Sequence, residues 1–324
     1  MKFDVICFGS AFADVFLKSD EFKTVRSPRV KTGVAMCGIM GGKLAVDELV
    51  MTTGGCATNA AVSFERKGLQ AACIACVGND FWGQFIKREL KNEGVSLIHL
   101  QTDKSRQTSC STILVNQQGR RVALVYRNAS NQLAWQKVKW QSLNSRWFYV
   151  GSLGGDLALL TKIVRTAQDK KVKIAFNPGS NEIKSRDQLV PFLKQVEVLL
   201  LNTVEAAQLT GIKISQKTAM FKKLRKMGPK VIALTQGSQG AWLSFGKKVY
   251  KAPVFKVKTM EETGAGDAFG SGLVAGLALG LKPKDAIKLA MANSASVVAQ
   301  VGSKAGLLWQ DEVKAWLKKP LTIR

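Results

Sequence analysis

Histidine is all but missing from this sequence: His99 is the only one in 324 residues. That scarcity removes Ser-His-Asp catalysis and most zinc sites unless His99 itself takes part, and its setting, "VSLIHLQT", reads as an ordinary strand. No Gly-Lys-Ser/Thr P-loop occurs, so any nucleotide must be held in another way. Six cysteines lie scattered through apolar stretches, unlike the dense framework of a small disulfide scaffold. Cys73 and Cys76 form a C-x-x-C, but "AACIACVG" around them reads as one buried strand, not as a redox or metal motif. The start, "MKFDVICFGSAFADVF", is interrupted by Asp4 and Asp14 too early for a signal peptide or a membrane span. A soluble, cytoplasmic protein with no membrane partner is expected.

Acidic residues are scarce too, 23 against 48 lysines and arginines, for a net charge of +25. Such an excess attracts polyanions by counterion release. The basic residues are spread over helix-like stretches such as "FKKLRKMGPK" and "DEVKAWLKKP", without interleaved aromatics or a recognition motif. A solvated lysine-rich surface is the simpler reading, and no specific nucleic-acid partner is expected.

What is present is a chain with 46% apolar residues and only seven prolines, long enough to bury a large core. Strand-like runs ("FDVICFG", "AACIACVG", "RWFYVGS", "KVKIAFNPG", "VEVLLLN", "KVIALTQG") alternate with helix-length amphipathic ones ("ATNAAVSFERKGL", "FWGQFIKRELKNEG", "DLALLTKIVRTAQDKK", "VEAAQLTG", "PKDAIKLAMANSASVVAQ"). The alternation predicts an α/β fold, a parallel sheet with helices on both faces. Ligands of such sheets bind beyond the carboxyl ends of the strands, where these runs end in glycine, asparagine or proline. Two stretches break the pattern, roughly Phe16 to Leu49 and "TSCSTILVNQQGRRVALVYRNAS", the latter a hairpin turning at Gln117-Gln118-Gly119. A β-rich lid of residues 16–49 and 106–127 over a core of 1–15, 50–105 and 128–324 accounts for both.

Four segments could carry chemistry. In "EETGAGDAFGSGLVAGLALG" the Thr-Gly-Ala-Gly turn follows a strand-like "KAPVFKVK" and opens a helix with Asp267 in its first turn. Backbone N–H groups at a helix N-terminus favour an anion, and a carboxylate beside them can orient a hydroxyl and take its proton. Close helix packing would explain the glycines equally well. "TTGGCATNAAVSF" has a second glycine turn before a helix with Asn59 in its first turn, and Asp14 closes "FGSAFAD"; such groups suit a ligand rich in hydroxyls. "VLLLNTVEAAQLTG" spaces Asn202 and Glu205 as a helix cap does, or as ligands of a hydrated magnesium ion would be. "ALTQGSQGAWLSFG" holds Thr235, Gly237 and Gly240 between strand-like runs.

Taken together, "GGCATNAA", "VGNDFWG", "NTVE" and "TGAGDAFGSGLVAGL", in that order, resemble the ribokinase-like, or PfkB, carbohydrate kinases, from about Phe3 to Leu308. The resemblance implies a three-layer αβα sandwich with a β-sheet lid, and transfer of the ATP γ-phosphoryl group to a sugar-like hydroxyl. By position it implies Asp267 as catalytic base and Gly264, Ala265 and Gly266 as the anion hole. It places Asp14, Gly54, Gly55 and Asn59 at the sugar hydroxyls, and Asn202 and Glu205 at the Mg2+ and phosphate end, Glu205 through water. Thr235, Gly237 and Gly240 would serve the nucleotide, Asn293 would lie near the adenine, and a homodimer through the lid is implied. Where the family has Asp-Thr before this turn, the chain has Glu261-Glu262, which puts monovalent-cation (K+) activation, also associated with "QVGSKAGL", in doubt.

"VYRNASNQL" resembles a lid-exit stretch of several sugar kinases, with Arg127 and Asn128 near the acceptor. A free sugar ranks first. A nucleoside would want stacking on Phe12, Phe16 or Tyr126, and a phosphosugar a cation such as Arg127 or Lys43. A regulator that keeps the fold without turnover stands as the non-enzyme alternative.

Overall fold

Residues 2–30 and 33–324 are described by a computed structural model of the chain; residue 1 of the expected core and residues 31–32 of the expected lid lie outside them. The strand-like runs form an eight-stranded sheet in the order Lys248–Ala252, Ala241–Phe245, Val231–Thr235, Val198–Asn202, Lys173–Phe176, Ser145–Val150, Phe3–Phe8, Ala71–Ile74. All pairings from Val231–Thr235 to Ala71–Ile74 are parallel, and the two at the other edge are antiparallel. Parallel strands buried on both faces are apolar at nearly every position. On Ser145–Val150, Trp147 and Tyr149 join one core, Phe148 and Val150 the other. The first core lies under helices Cys56–Glu65, Ala265–Ala278 and Pro283–Val298, the second under Leu157–Lys170, Thr203–Thr210 and Lys217–Lys226. This is the expected three-layer αβα sandwich.

Helix Ala265–Ala278 and helix Pro283–Val298 pack closely. Added β-carbons at Gly272 and Gly276 would stand 3.1 and 3.0 Å from the Cα atoms of Ala290 and Ala286. For those two glycines the packing reading holds.

The lid is a second sheet of four strands in the order Arg121–Tyr126, Cys110–Val115, Phe12–Lys18, Glu48–Gly54, with the hairpin closing through Gly119. Its strands begin before Phe16 and end after Leu49, so Asp14 and Gly54 ride on the lid and not on the core. Directly paired residues share a face. One face carries Asp14, Phe16, Thr52, Ser111, Ile113 and Arg121 toward the core. Asp80 joins the lid to the core: its carboxylate caps helix Phe81–Asn92 through the Gly83 N–H at 2.8 Å and accepts from the Thr108 N–H at 2.7 Å.

Three local expectations are corrected. "AACIACVG" is two strands, because Cys76–Gly78 leaves the main sheet to pair with Gln101–Asp103. Burial pushes Cys73 up to about 12 and Cys76 up to about 11, so neither thiol ionises at neutral pH. "KAPVFKVK" is not a strand beyond Ala252, since Pro253 lacks the N–H a ladder needs. His99 lies in a turn, edge-on to Phe3 at 6.4 Å, and not on a strand.

Candidate active site

The parallel strands end in Gly9, Gly151, Asn177, Asn202 and Gln236, all at one edge of the sheet. Above that edge stands the N-terminus of helix Ala265–Ala278. Its cap, Gly264, has φ 81, the left-handed region that a side chain resists, and an added β-carbon would come within 2.5 Å of Ser303. Around Gly266 a β-carbon would meet nothing within 4 Å, so this glycine faces open space that a side chain would fill. The Ala265 N–H reaches the Glu262 carbonyl at 3.2 Å. Among the described residues the Gly264, Gly266 and Asp267 N–H groups have no acceptor, whereas the Ala265 N–H does.

Asp267 is half-buried in the first turn of the helix and accepts a hydrogen bond from Asn59 Nδ2 at 2.8 Å. Burial pushes its carboxyl above the usual carboxylate range, opposed by the Asn59 bond and the Lys304 charge. Asp14 is buried as well and likewise pushed up, opposed by a Ser111 hydrogen bond and Lys304. Gly54 lies directly against it: an added β-carbon would come within 2.0 Å of Asp14 Oδ2, and one at Gly55 within 2.5 Å of the Ser10 carbonyl. Arg127 holds its guanidinium 5.5 Å from the Phe12 ring centre, and Asn128 donates from Nδ2 to the Tyr126 hydroxyl at 2.5 Å. Asp14, Gly54, Gly55, Asn59 and Asp267 thus gather where lid and core face each other, with Arg127 beside them over Phe12.

On the other side of Gly266 opens a cavity of about 530 Å³ bounded by Thr235, Gly237, Gly240, Val254, Met291 and Ser294. At Thr235, Gly266 and Phe269 it joins a hollow of about 100 Å³ lined by Asn177, Asn202 and Glu205. Asn202 and Glu205 form the reciprocal cap: the Asn202 side chain accepts from the Val204 and Glu205 N–H groups, and Glu205 Oε2 accepts from the Asn202 N–H at 2.8 Å. Burial raises the Glu205 carboxyl, opposed by its hydrogen bonds with Asn202, and Glu205 lines the hollow.

Asn293 is a correction. It is fully buried and turned from the cavity, its Oδ1 accepting from Lys67 Nζ at 2.9 Å and the Leu308 N–H at 3.0 Å, its Nδ2 donating to the Ala268 carbonyl at 2.7 Å. One step along a helix turns a side chain by about 100°, so Ser294 reaches the cavity where Asn293 does not.

Two contributors were invisible in the sequence. Arg121, on the lid, lines the large cavity and pairs with Glu261. Ser303, from "QVGSKAGL", donates to Asn59 Oδ1 at 2.9 Å. Both bonds cross more than a hundred residues, and no local pattern announces them.

The pfkB family carbohydrate kinase model matches residues 2–310. The chain is 25% identical over 270 residues to the ribokinase of Haemophilus influenzae, covering 82% of this chain and 87% of that one. It is 24% identical over 280 residues to the cytidine kinase of Thermococcus kodakarensis, covering 81% and 95%. In fold it is similar to the crystal structure of ribokinase from Thermotoga maritima, with a TM-score of 0.77 and 19% identity over 98% of this chain and 100% of that one. A family match that runs over 2–310 of the 324 residues, both sheets included, means that the chain belongs to the pfkB family of carbohydrate kinases.

Proposed function

We propose that the protein phosphorylates a hydroxyl of a free sugar at the expense of ATP, with Asp267 as the base. One observation carries the reading: unpaired amides and a carboxylate share one helix N-terminus, open on one side to a nucleotide-sized cavity and on the other to Asp14. The open space at Gly266 and Gly237 is a cradle that β-carbons would fill, which fits phosphate oxygens approaching the backbone. ATP with Mg2+ would supply the phosphoryl group and neutralise its charge when bound. Thr235, Gly237 and Gly240 would hold the nucleotide, and Asn202 and Glu205 the hydrated cation. Asp14, Gly54, Gly55, Asn59, Arg127 and Asn128 would orient the acceptor. Its hydroxyl gives its proton to Asp267 as its oxygen bonds to the phosphorus and the bond to the leaving diphosphate breaks, while the Gly264 and Gly266 amides face the charge that develops.

A free sugar is favoured because the expected stacking faces are taken. Arg127 covers Phe12, Phe16 is buried in the lid, and Tyr126 sits on the face of the lid turned from the core. The cytidine kinase relative keeps the nucleoside as second reading. An ADP-release screen over pentoses, hexoses, nucleosides and sugar phosphates decides between them. Asp267→Asn should lose at least ~10²-fold in kcat with nucleotide binding little changed; full activity in that variant would refute the base assignment.

The lid's outer face supports a homodimer. Leu49, Leu17, Leu114 and Val122 form one row across four strands, and Met51, Val15, Thr112 and Leu124 the next, with Leu49, Met51 and Leu124 about half exposed. An apolar sheet face of this extent fits a second copy of the same lid.

A further inference from the structure

We propose that Ser303 is a positioning residue for the base: its hydroxyl anchors the carbonyl end of the Asn59 amide, and Asn59 in turn fixes the Asp267 carboxylate. The inference rests on the reading of Asp267 as base and adds a residue to which the resemblance gave no role in positioning that base.

The three side chains form one line. Ser303 Oγ lies 2.9 Å from Asn59 Oδ1, and Asn59 Nδ2 lies 2.8 Å from Asp267 Oδ2. An amide has a donor end and an acceptor end. Turned over, Asn59 would aim its carbonyl oxygen at a carboxylate, two acceptors face to face. The carboxylate thus selects the orientation, and Ser303 donates to the carbonyl end left facing it, anchoring the amide in place. Its hydroxyl also reaches the Thr53 carbonyl at 3.2 Å, the longer of the two contacts. Ser303 and Asn59 are 1% and 3% exposed, so water has no room to replace either bond. Ser303 is itself held against the anion turn, since a β-carbon on Gly264 would collide with it at 2.5 Å.

The consequence falls on the reacting atom. With Oδ2 engaged by Asn59, Oδ1 is the Asp267 oxygen that has no donor among the described residues, and it is the one left for the acceptor hydroxyl. The Asn59 bond also counters the burial that pushes Asp267 up. The other groups around Asp267 are Lys304 from the same loop, Cys56 at the start of helix Cys56–Glu65, and Tyr149 on the central sheet. Burial holds the thiol and the phenol neutral, and Ser303→Ala leaves the Lys304 charge in place.

The test compares wild type, Ser303→Ala, Asn59→Ala and the double variant, on the acceptor that the wild type phosphorylates in the ADP-release screen. Ser303→Ala should lower kcat about tenfold near neutral pH, the size of one hydrogen bond to a charged group, with nucleotide KM unchanged. The acidic limb of its kcat profile should move to higher pH, and Ser303→Ala should cost nothing more in the Asn59→Ala background. Equal losses in both backgrounds, or a loss with the acidic limb unmoved, would overturn the proposal. Carbon-13 titration of the Asp267 carboxyl in Ser303→Ala reads the same shift without turnover, and an unshifted titration overturns it too. A wild type that phosphorylates no acceptor refutes the kinase reading instead.

Discussion

Arg121 on the lid closes on Glu261 at the entry to the anion turn. Its guanidinium pairs with the Glu261 carboxylate, and its Nη1 donates to Thr263 Oγ1 at 2.8 Å. Glu261 is 7% exposed and also accepts from the Thr263 N–H at 2.8 Å and its hydroxyl at 2.5 Å. A buried carboxylate in this position requires a cation, and the lid provides one. Turnover should therefore be unchanged when potassium is replaced by a bulky quaternary ammonium ion at equal ionic strength. Arg121→Ala should raise nucleotide KM about tenfold, the loss of one charge-assisted contact, and expose the lid to protease. Strict dependence on potassium in the wild type would show that the guanidinium does not fill this role.

The pH profile follows from Asp267. Its carboxyl is raised by burial, and the base must be ionised to accept a proton. The acidic limb of kcat should lie above the ordinary carboxylate range, the rate falling as pH drops through the raised value. A limb at or below the value of a free aspartate would contradict the burial seen at this site.

Two glycines two residues apart should respond differently to alanine. Gly264→Ala meets both a left-handed backbone and Ser303, and should cost about 1–3 kcal/mol in denaturant unfolding. Gly266 is helical with free space around it, so Gly266→Ala should leave stability unchanged or raise it by up to about 1 kcal/mol. Its methyl would still project into the phosphate cradle and raise nucleotide KM. Equal effects of the two substitutions on stability would be inconsistent with this geometry.

Lys67 gives a stability signature. It is 1% exposed between helices Cys56–Glu65 and Pro283–Val298, and burial followed by the Arg66 charge brings it down to about 7. Above that value the folded chain has released a proton that the unfolded chain holds until its ordinary range near 10.5. Its cost is complete below 7 and fades as pH rises toward 10.5, so stability rises across that window. Urea midpoints at pH 7 and pH 9.5 should show a smaller rise in Lys67→Met than in wild type; parallel curves would mean that Lys67 is not held neutral.

The outer lid face makes the oligomer testable. Leu124→Lys places a charge on the edge-strand end of the second apolar row and should convert a dimer to a monomer in sedimentation velocity, with the helical signal unchanged. A wild type that is monomeric at micromolar concentration disposes of the lid-to-lid contact.

The layers and the grouping of motifs at one sheet edge were legible because each rests on local pattern, whereas the strand order was not read from it. Apolar runs of strand length ended in turn residues, and caps such as Asp80 and Asn202 stood at helix starts. Less legible were features decided by distant contacts. That the Asn59 amide also bridges Asp267 and Ser303 could not be read from the residues around it. Asn293 lies on the expected helix, but one helical step rotates it into a polar knot with Lys67. Glu261-Glu262 put cation activation in doubt, but nothing near them in the chain showed that Arg121, far away, is the counterion of Glu261. The strand expected after Ala252 failed on a single proline, visible in the sequence but outweighed there by the apolar residues around it.

Asp14 belongs to the lid sheet and Asp267 to the core, although in the proposed reaction both face the same acceptor. Any swing of the one body away from the other separates the two carboxylates while leaving the cavity beside Gly266 whole. A nucleotide bound before the acceptor thus sits in a half-assembled machine, and stray water arriving there lacks the second grip that a polyol would engage. Economy with the donor is in this way a by-product of dividing one pocket between two sheets.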